Sequence, residues 1–297
     1  MKLLTFTTAH GGEELIGVLT ADGAGVAAAR DLGVSHPTME ALIARGTPRE
    51  LERLRTGAQR GDAPVLPLDR VVLAAPIPHP AQDILCLGIN YLDHAEESAR
   101  FQKEAFERHR DYAVYFSKRV DRAVGSGAGI PSHRPLVDSL DYEVELAVII
   151  GKEARGVARQ DAYGHVFGYT ILNDVSARNL QTRHKQWHFG KSLDGFAPMG
   201  PWIVTADEMA APPVLTIQSR VNGQLRQDSS TDRMVFDVAH VISELSQGMT
   251  LRPGTILAMG TPAGVGMGFV PPRFLQPGDV VECTIQGIGT LRNTVLP

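Results

Sequence analysis

The stretch DYEVELAVII, residues 141–150, places two carboxylates two positions apart inside an otherwise apolar run. Such a run predicts a buried strand, and side chains alternate faces along a strand, so Glu143 and Glu145 should project from the same side. Two carboxylates held together repel each other and are costly to remove from water, unless a cation neutralises them or one of them is protonated. Their oxygen atoms suit Mg²⁺, Mn²⁺ or Ca²⁺. The alternative interpretation is an edge strand with its acidic face in water.

The composition is that of an ordinary globular protein: 297 residues, of which 43% are hydrophobic and 21% charged. This length allows one large core, or a large domain with a smaller one. The net charge of −4 argues against a general nucleic-acid or anionic-membrane surface. The two cysteines, Cys86 and Cys283, are far apart, which argues against a disulfide scaffold and fits a reducing compartment. No run is long enough for a secretory signal or a membrane span, so we expect a cytoplasmic protein.

Short apolar runs separated by turn signals predict a small N-terminal meander, with strands at Leu3–Thr8, Leu15–Thr20 and Gly25–Ala29. A helix is predicted over Met39–Ala58 from its apolar stripe. The proline-rich connector that follows places a domain boundary near residue 70. We therefore expect a small N-terminal domain in residues 1–70 and a catalytic domain in residues 71–297.

Strands dominate the remainder of the chain. They are predicted at Ile84–Gly88, Val114–Ser117, Tyr142–Ile150, His165–Leu172, Trp202–Thr205, Leu215–Val221, Ile256–Met259 and Val280–Ile285. The pair Asn222-Gly223 predicts a hairpin turn, and helices are predicted over Ala95–Arg110 and Phe236–Leu245. Because strands and helices do not alternate regularly, a doubly wound or TIM-type sheet is disfavoured. The expected fold class is a β-rich α+β protein with few helices.

Asp174 follows an apolar strand and begins the segment DVSARNLQ. A carboxylate at a strand end is well placed as a third metal ligand, although aspartate is also a common helix cap. Arg178 and Gln181 are three residues apart and share a face if this segment is helical. Arg178 could hold a substrate carboxylate through two hydrogen bonds, or pair with an acid in a structural bridge.

Three further segments carry residues that could take part in chemistry. His94 and Glu97 in GINYLDHAEE share a helical face, so the carboxylate could raise the basicity of the histidine, although such pairs are usually surface interactions. Lys191 lies in a loop rich in glycine, proline and aromatic residues, where it could stabilise an enolate or an oxyanion, although single lysines are usually solvated. Thr261 begins the turn TPAGVG, which could offer a hydroxyl and backbone N–H groups to a carboxylate.

Taken in order, these segments resemble the fumarylacetoacetate hydrolase family. The matching pieces are GINYLDHAEE (88–97), DYEVELAVIIG (141–151), GYTILNDVSARNLQ (168–181), KSLDGFAPMGPW (191–202), NG (222–223) and TPAGVG (261–266). The resemblance points to the branch of acylpyruvate hydrolases and 2-hydroxyhepta-2,4-diene-1,7-dioate isomerases. It implies a mixed β-roll that binds Mg²⁺ or Mn²⁺ through carboxylates, in a homodimer. Residues 1–70 resemble, more loosely, a short N-terminal domain of bacterial members.

The resemblance also implies a role for each candidate residue. The implied metal ligands are Glu143, Glu145 and Asp174. The implied catalytic residues are His94 and Glu97, which would activate water, and Lys191, which would stabilise an oxyanion or enolate. The implied substrate anchors are Arg178, Gln181 and Thr261. The helix over Ala95–Arg110 is implied to close over the substrate. The eukaryotic enzyme of tyrosine degradation has a further aspartate ligand in its first motif, for which GINYLDHAEE offers no clear equivalent, so water would complete the metal shell.

The expected function is a divalent-metal-dependent hydrolase that cleaves a C–C bond in a 2,4-dioxo acid, giving pyruvate and a carboxylic acid. The alternative is an isomerase, tautomerase or decarboxylase that acts on related 2-oxo acids, such as hydroxymuconates or oxaloacetate, in aromatic or sugar-acid catabolism. All of these reactions pass through an enolate. A metal-stabilised binding or scaffold protein is a third interpretation, and it is disfavoured because the histidine–glutamate pair and the lysine are all present.

Overall fold

The structure is a computed structural model that describes residues 1–102 and 111–297. Its strands in this part of the chain are β1 (Lys2–Thr7), β2 (Leu15–Leu19), β3 (Gly25–Ala28), β4 (Val65–Pro67), β5 (Val72–Leu73), β6 (Ile84–Gly88), β7 (Val114–Lys118), β8 (Gly129–Pro131), β9 (Leu140–Asp141), β10 (Val144–Ile150), β11 (Val166–Asn173), β12 (Ser176–Ala177), β13 (Met199–Thr205), β14 (Thr216–Val221), β15 (Gln224–Ser230), β16 (Ile256–Ala258), β17 (Val280–Ile285) and β18 (Gly289–Leu296). Its α-helices are α1 (Met39–Arg45), α2 (Pro48–Arg60), α3 (Leu92–Gln102), α4 (Arg178–Arg183), α5 (His188–Lys191) and α6 (Val238–Gly248).

The acidic motif lies in the largest sheet, whose strands follow the order β4-β3-β2-β1-β13-β11-β10-β16-β6-β7, with β5 paired to β1. Every residue of β10 is buried, because both faces of the strand pack against apolar clusters. One apolar cluster contains Val144, Leu146, Val148 and Ile150, and the other contains Ala147 and Ile149. The strand was predicted to begin at Tyr142 and begins instead at Val144.

A second sheet, in the order β15-β14-β17-β18-β8, packs against the same core. The predicted hairpin is present: β14 and β15 pair around Asn222 and Gly223, whose φ angles are 50° and 77°. Two consecutive residues with positive φ are what a tight two-residue hairpin requires, which explains the Asn-Gly pair. The fold is therefore β-rich with few helices, as the sequence predicted.

The N-terminal strands are continuous with the large sheet. The predicted meander forms β1, β2 and β3, and β1 also pairs antiparallel with β13, with Lys2 opposite Val204 and Leu3 opposite Ile203. Hydrogen bonds thus join the first 70 residues to the part of the chain that carries the acidic motif. The division into two domains near residue 70 stays a prediction.

The predicted helix Met39–Ala58 is wrong as one element, because it is two helices, α1 and α2. Pro48 has no N–H to donate and restricts the backbone of the residue before it, so a helix cannot run through this point without a break. Thr47 then caps α2: its hydroxyl accepts from the N–H of Glu50, and the Glu50 carboxylate accepts from the N–H of Thr47. This reciprocal arrangement is a capping box.

The predicted helix Ala95–Arg110 corresponds to α3, which begins earlier, at Leu92. The part of this prediction that falls on residues 103–110 lies outside the described residues. The predicted helix Phe236–Leu245 is present as α6, shifted toward the C-terminus. None of the described helices has the length and apolar character needed to cross a membrane.

Candidate metal centre

Three carboxylates converge where β10 begins and β11 ends. Glu143 immediately precedes β10, Glu145 lies within it, and Asp174 follows β11. The strands pair antiparallel, with Val144 opposite Asn173, and the N–H of Asp174 donates to the carbonyl of Glu143 at 2.9 Å. One oxygen from each carboxylate lies within 4.8 Å of the others, and all three residues are buried. The predicted ligands are thus brought together, and their binding of a metal stays a prediction.

Glu145 is the carboxylate of this triad for which the described part of the chain supplies no balancing cation. Among the described residues no ion pair within 4 Å reaches it, and its Oε2 accepts one hydrogen bond, from the N–H of Gly260 at 2.9 Å. Burial, reinforced by repulsion from Asp174 and Glu143, raises the pKa of Glu145 well above its usual range. A buried and unpaired carboxylate is stabilised by a bound cation. The all-oxygen donor set therefore fits a hard divalent ion such as Mg²⁺ or Mn²⁺.

Lys191 bridges the other two carboxylates. Its Nζ lies 2.7 Å from Glu143 Oε2 and 2.5 Å from Asp174 Oδ2, and its side chain is 2% exposed. Burial opposes its charge, but attraction to Asp174 and Glu143 prevails and raises the pKa of Lys191. In turn, although burial opposes ionisation, Lys191 and Arg178 lower the pKa of Glu143. Lys191 is therefore a buried cation of this centre, and the alternative of a solvated surface lysine is wrong.

A second buried lysine reaches the triad from the end of β7. The Nζ of Lys118 lies 2.9 Å from Asp174 Oδ1 and also donates to the carbonyls of Val175, Lys191 and Phe196. Burial lowers the pKa of Lys118 below its usual range, and attraction to Asp174 offsets this only in part. Four acceptor oxygens around one nitrogen suit an ammonium, because the lone pair of a neutral amine would have no donor to face. Each oxygen of Asp174 thus contacts one lysine.

Arg178 is held inside the protein by acids on both sides. Its Nε donates to Asp141 Oδ2 at 2.9 Å, its Nη2 lies 2.6 Å from Glu143 Oε1, and its Nη1 donates to Gln181 Oε1 at 3.0 Å. Burial opposes this charge, but Glu143 and Asp141 raise the pKa of Arg178. This is the structural bridge that the sequence left open as an alternative. A contact of Arg178 or Gln181 with substrate stays a prediction.

Asp141 and Gln227 fix the glycine-rich turn against the acidic strand. Asp141 accepts hydrogen bonds from the N–H groups of Gly266 at 2.6 Å and Met267 at 3.0 Å. The Nε2 of Gln227 donates to Thr261 Oγ1 at 2.7 Å, and its Oε1 accepts from the N–H of Val144 at 3.1 Å. Thr261 Oγ1 in turn donates to the Val144 carbonyl at 2.9 Å. The single hydroxyl proton of the predicted anchor Thr261 is thus used within the protein.

The predicted pair of His94 and Glu97 lies at the start of α3. His94 Nδ1 and Glu97 Oε2 are 3.6 Å apart, which is an ion-pair distance and too long for a hydrogen bond. Both oxygens of Glu97 accept instead from the N–H of Gly264, at 2.9 and 3.0 Å. His94 is 5% exposed, and its buried Nδ1 has no hydrogen-bond partner in the described part of the chain. Glu97 therefore holds the glycine-rich turn, and His94 keeps a free nitrogen.

Asn90 anchors the segment that leads into α3. Its side chain donates to the carbonyls of Phe236 at 2.9 Å and Met259 at 2.8 Å, and accepts from the N–H of Phe236. The preceding residue, Ile89, has a φ of 57°, a left-handed conformation that is rare for a β-branched side chain. The surrounding hydrogen bonds hold this strained turn in place, which sets the direction in which His94 enters the site.

A cavity of about 20 Å³ adjoins the triad, which is room for about one water molecule. It is lined by Leu87, Gly88, Ile89, His94, Ser98, Phe116, Glu143, Glu145, Arg178, Gln181, Trp187, Lys191, Thr261 and Met267. Two of the three predicted ligands, two of the three predicted catalytic residues and all three predicted anchors therefore line one space, with an apolar wall on part of it; Asp174 and Glu97 do not line it. A larger cavity, of about 460 Å³, is lined by none of the predicted site residues.

Three buried residues of this centre were not singled out from the sequence. Asp141 adjoins the two glutamates, so a third carboxylate in the same motif was an available signal. Lys118 and Gln227 carry no local signal, because their burial depends on distant contacts such as those with Val175 and Val144.

Comparison with known proteins gives consistent relatives. The family description "Fumarylacetoacetate (FAA) hydrolase C-terminal" matches residues 83–296. Oxaloacetate tautomerase YisK of Bacillus subtilis (strain 168) is 48% identical over 228 residues, which are 77% of this chain and 74% of that protein. Fumarylacetoacetate hydrolase from the psychrophilic Exiguobacterium antarcticum has a TM-score of 0.82 at 40% identity, covering 100% of this chain and 99% of that chain. Maleylpyruvate hydrolase from Sphingobium sp. SYK-6 has a TM-score of 0.77 at 31% identity, with the same coverage.

These relatives carry different activities in their names, a tautomerase and two hydrolases, on one shared fold. The family description covers most of the chain, and its span includes every predicted site residue. The resemblance drawn from the motifs is confirmed: the chain belongs to the fumarylacetoacetate hydrolase family.

Proposed function

We propose that this protein is a divalent-metal-dependent enzyme that moves a proton on a short 2-oxo acid, interconverting keto and enol forms of a compound of the oxaloacetate class. The observation that carries this proposal is that His94, whose Nδ1 has no hydrogen-bond partner in the described residues, lines the same small cavity as Glu143 and Glu145. The 48% identity to a protein named oxaloacetate tautomerase supports the same reaction class.

The residues around the cavity have distinct parts in this proposal. His94 takes a proton from the carbon beside the keto group as general base and delivers it to the enolate oxygen as general acid, which gives the enol; the reverse reaction returns the proton from oxygen to carbon. Lys191 has three ammonium protons, of which two go to Glu143 and Asp174, so the third is available for the oxygen that becomes negative. A bound Mg²⁺ or Mn²⁺, held by Glu143, Glu145 and Asp174, would supply Lewis-acid stabilisation of that negative charge.

The second candidate is hydrolysis of a C–C bond in a 2,4-dioxo acid of the acylpyruvate class. It is favoured by the closeness of His94 and Glu97, since a histidine beside a carboxylate can take a proton from water. The relative named maleylpyruvate hydrolase, at 31% identity, supports it as well. In this reaction His94 Nδ1 and Glu97 Oε2, which lie 3.6 Å apart, would have to come within hydrogen-bond distance so that Glu97 orients His94. Tautomerisation needs no such rearrangement.

One experiment separates the two reactions. The metal-loaded enzyme is given oxaloacetate in one assay and a series of acylpyruvates in another. Loss of the enol absorbance is followed in both, and pyruvate release is measured separately. We expect metal-dependent interconversion of oxaloacetate tautomers, abolished by EDTA, with little pyruvate from acylpyruvates. Metal-dependent pyruvate release without tautomerisation would replace the first proposal by the second.

Two histidine variants test the role of the proton carrier. His94→Gln should keep its affinity for Mn²⁺ and lose activity by about 10²- to 10⁴-fold, the usual contribution of a general acid–base group. His10→Gln alters an exposed histidine and serves as the matched control, with activity close to that of the unaltered protein. Normal turnover by His94→Gln would remove His94 from the mechanism, whichever reaction is observed.

A further inference from the structure

Lys118 is buried beside the triad without facing the substrate cavity. It is 0% exposed, it is absent from the cavity wall, and its Nζ contacts Asp174 Oδ1 at 2.9 Å. Its remaining contacts are the backbone carbonyls of Val175, Phe196 and Lys191. A buried ammonium is costly unless charges nearby repay its desolvation, so a mere packing role would be served better by an apolar side chain.

The charges around the triad show what this ammonium changes. The positive charge of Arg178 and the negative charge of Asp141 cancel. This leaves three carboxylates facing the two ammonium groups of Lys118 and Lys191. When a divalent ion is bound, Glu145 is ionised as a ligand, so three negative charges face the two ammonium groups and the ion, and the metal-loaded site carries one net positive charge. Without Lys118 the same metal-loaded site would be neutral. In a buried site of low polarity, this difference of one unit of charge directly changes the electrostatic energy of a bound anion.

We propose that Lys118, through its charge beside Asp174, makes the metal-loaded site net cationic, so that the site favours an anionic 2-oxo acid and its enolate. This inference rests on the proposed function. Lys118 acts through the electric field of its charge, since it does not line the cavity. Lys191, which does line it, is the ammonium that reaches the substrate.

The proposal predicts opposite effects on two ligands. Removing the Lys118 ammonium takes a positive charge away from the carboxylates, so Coulomb attraction for Mn²⁺ is retained or strengthened. The same change lowers the affinity of the metal-loaded site for an anion. Oxalate is a suitable probe, because it is a planar dianion with the shape and charge of the enolate of a 2-oxo acid. A purely structural role would instead weaken the binding of both ligands together.

The test is calorimetric titration of Lys118→Met, which keeps side-chain length and removes the charge, with Mn²⁺ and then with oxalate in the presence of saturating Mn²⁺. The expected result is a Kd for Mn²⁺ equal to or lower than that of the unaltered protein, and a Kd for oxalate at least about tenfold higher. Lys152→Met, at an exposed lysine, is the matched control and should change neither value. Unfolding of the metal-free variants is recorded in parallel.

Each other outcome overturns the proposal. An oxalate Kd within about threefold of the value for the unaltered protein would show that the charge of Lys118 does not affect anion binding. Joint weakening of Mn²⁺ and oxalate would assign Lys118 a structural role. Lys118→Gln, which keeps donors for two of the carbonyls, applies the same criteria if Lys118→Met does not fold. Failure of the unaltered protein to bind Mn²⁺ would instead reject the proposed function, and is distinguished because it needs no variant.

Discussion

The carboxylate of Asp141 lies 2.9 Å from the Nε of Arg178, and neither side chain is more than 2% exposed. The same aspartate accepts from the N–H groups of Gly266 and Met267, while the same arginine contacts Glu143. This one ion pair therefore connects the glycine-rich turn to the carboxylate triad. Arg178 is a structural cation of the site whether or not it also contacts substrate.

Asp141→Asn should destabilise the protein strongly. The change leaves the buried Arg178 with one fewer anionic partner and turns an amide donor toward groups that are themselves donors. Breaking one side of a buried ion pair costs about 3–5 kcal/mol. Urea unfolding in EDTA measures the loss, with Asp138→Asn at an exposed neighbour as the control. A loss below about 1 kcal/mol would mean that the pair contributes little.

Glu145→Gln and Glu143→Gln should differ in stability although both lose metal affinity. Each removes a predicted ligand, so we expect Mn²⁺ affinity to fall by about 100-fold or more. Glu145 has no cation within 4 Å among the residues that the structure describes, so its neutral replacement should leave the metal-free protein as stable as before, or more stable. Glu143 balances Lys191 and Arg178, so its replacement should destabilise. Thermal unfolding in EDTA gives the stability of each variant, and calorimetric titration gives its Mn²⁺ affinity. Equal unfolding temperatures for Glu145→Gln and Glu143→Gln would contradict this account.

The stability of the metal-free protein should depend on pH through Glu145. Its pKa is raised above the ordinary value of 4.5, so the folded state holds a proton that the unfolded state releases. That contribution is full below the unfolded pKa and is lost as pH rises through the raised pKa. The unaltered protein should therefore lose stability relative to Glu145→Gln as the pH rises from the ordinary glutamate pKa through the raised one, while its Mn²⁺ affinity increases. If the difference in stability between the unaltered protein and Glu145→Gln does not change with pH, the pKa of Glu145 is not raised.

Thr47→Ala should destabilise the protein by about 1 kcal/mol, because it removes the side-chain cap of α2. Thr56→Ala makes the same chemical change inside the same helix, where alanine has the higher helix propensity, and should be neutral or slightly stabilising. Urea unfolding of both variants provides the comparison. If the two variants have equal stability, the capping box at Thr47 does not contribute to folding.

Much of this site could be predicted because its signals are local. A strand turns alternate side chains to one face, so Glu143 and Glu145 follow from the period of a single segment. The hairpin at Asn222-Gly223 follows from the positive φ that two residues must adopt. The break at Pro48 was equally local and was missed, because the apolar stripe on both sides was taken as one helix.

The sequence by itself determined the family, the β-rich fold, and the carboxylates, lysine and histidine that border the cavity. Only the tertiary structure decided which cation balances which acid, that Glu145 has no such partner in the described residues, and that Lys118 is buried. The physical reason is that a charge is set by its own residue, while its desolvation and its partners depend on chain segments brought together by folding. Lys118 is an ordinary lysine in its strand and becomes part of the site only where β7 packs beside Asp174.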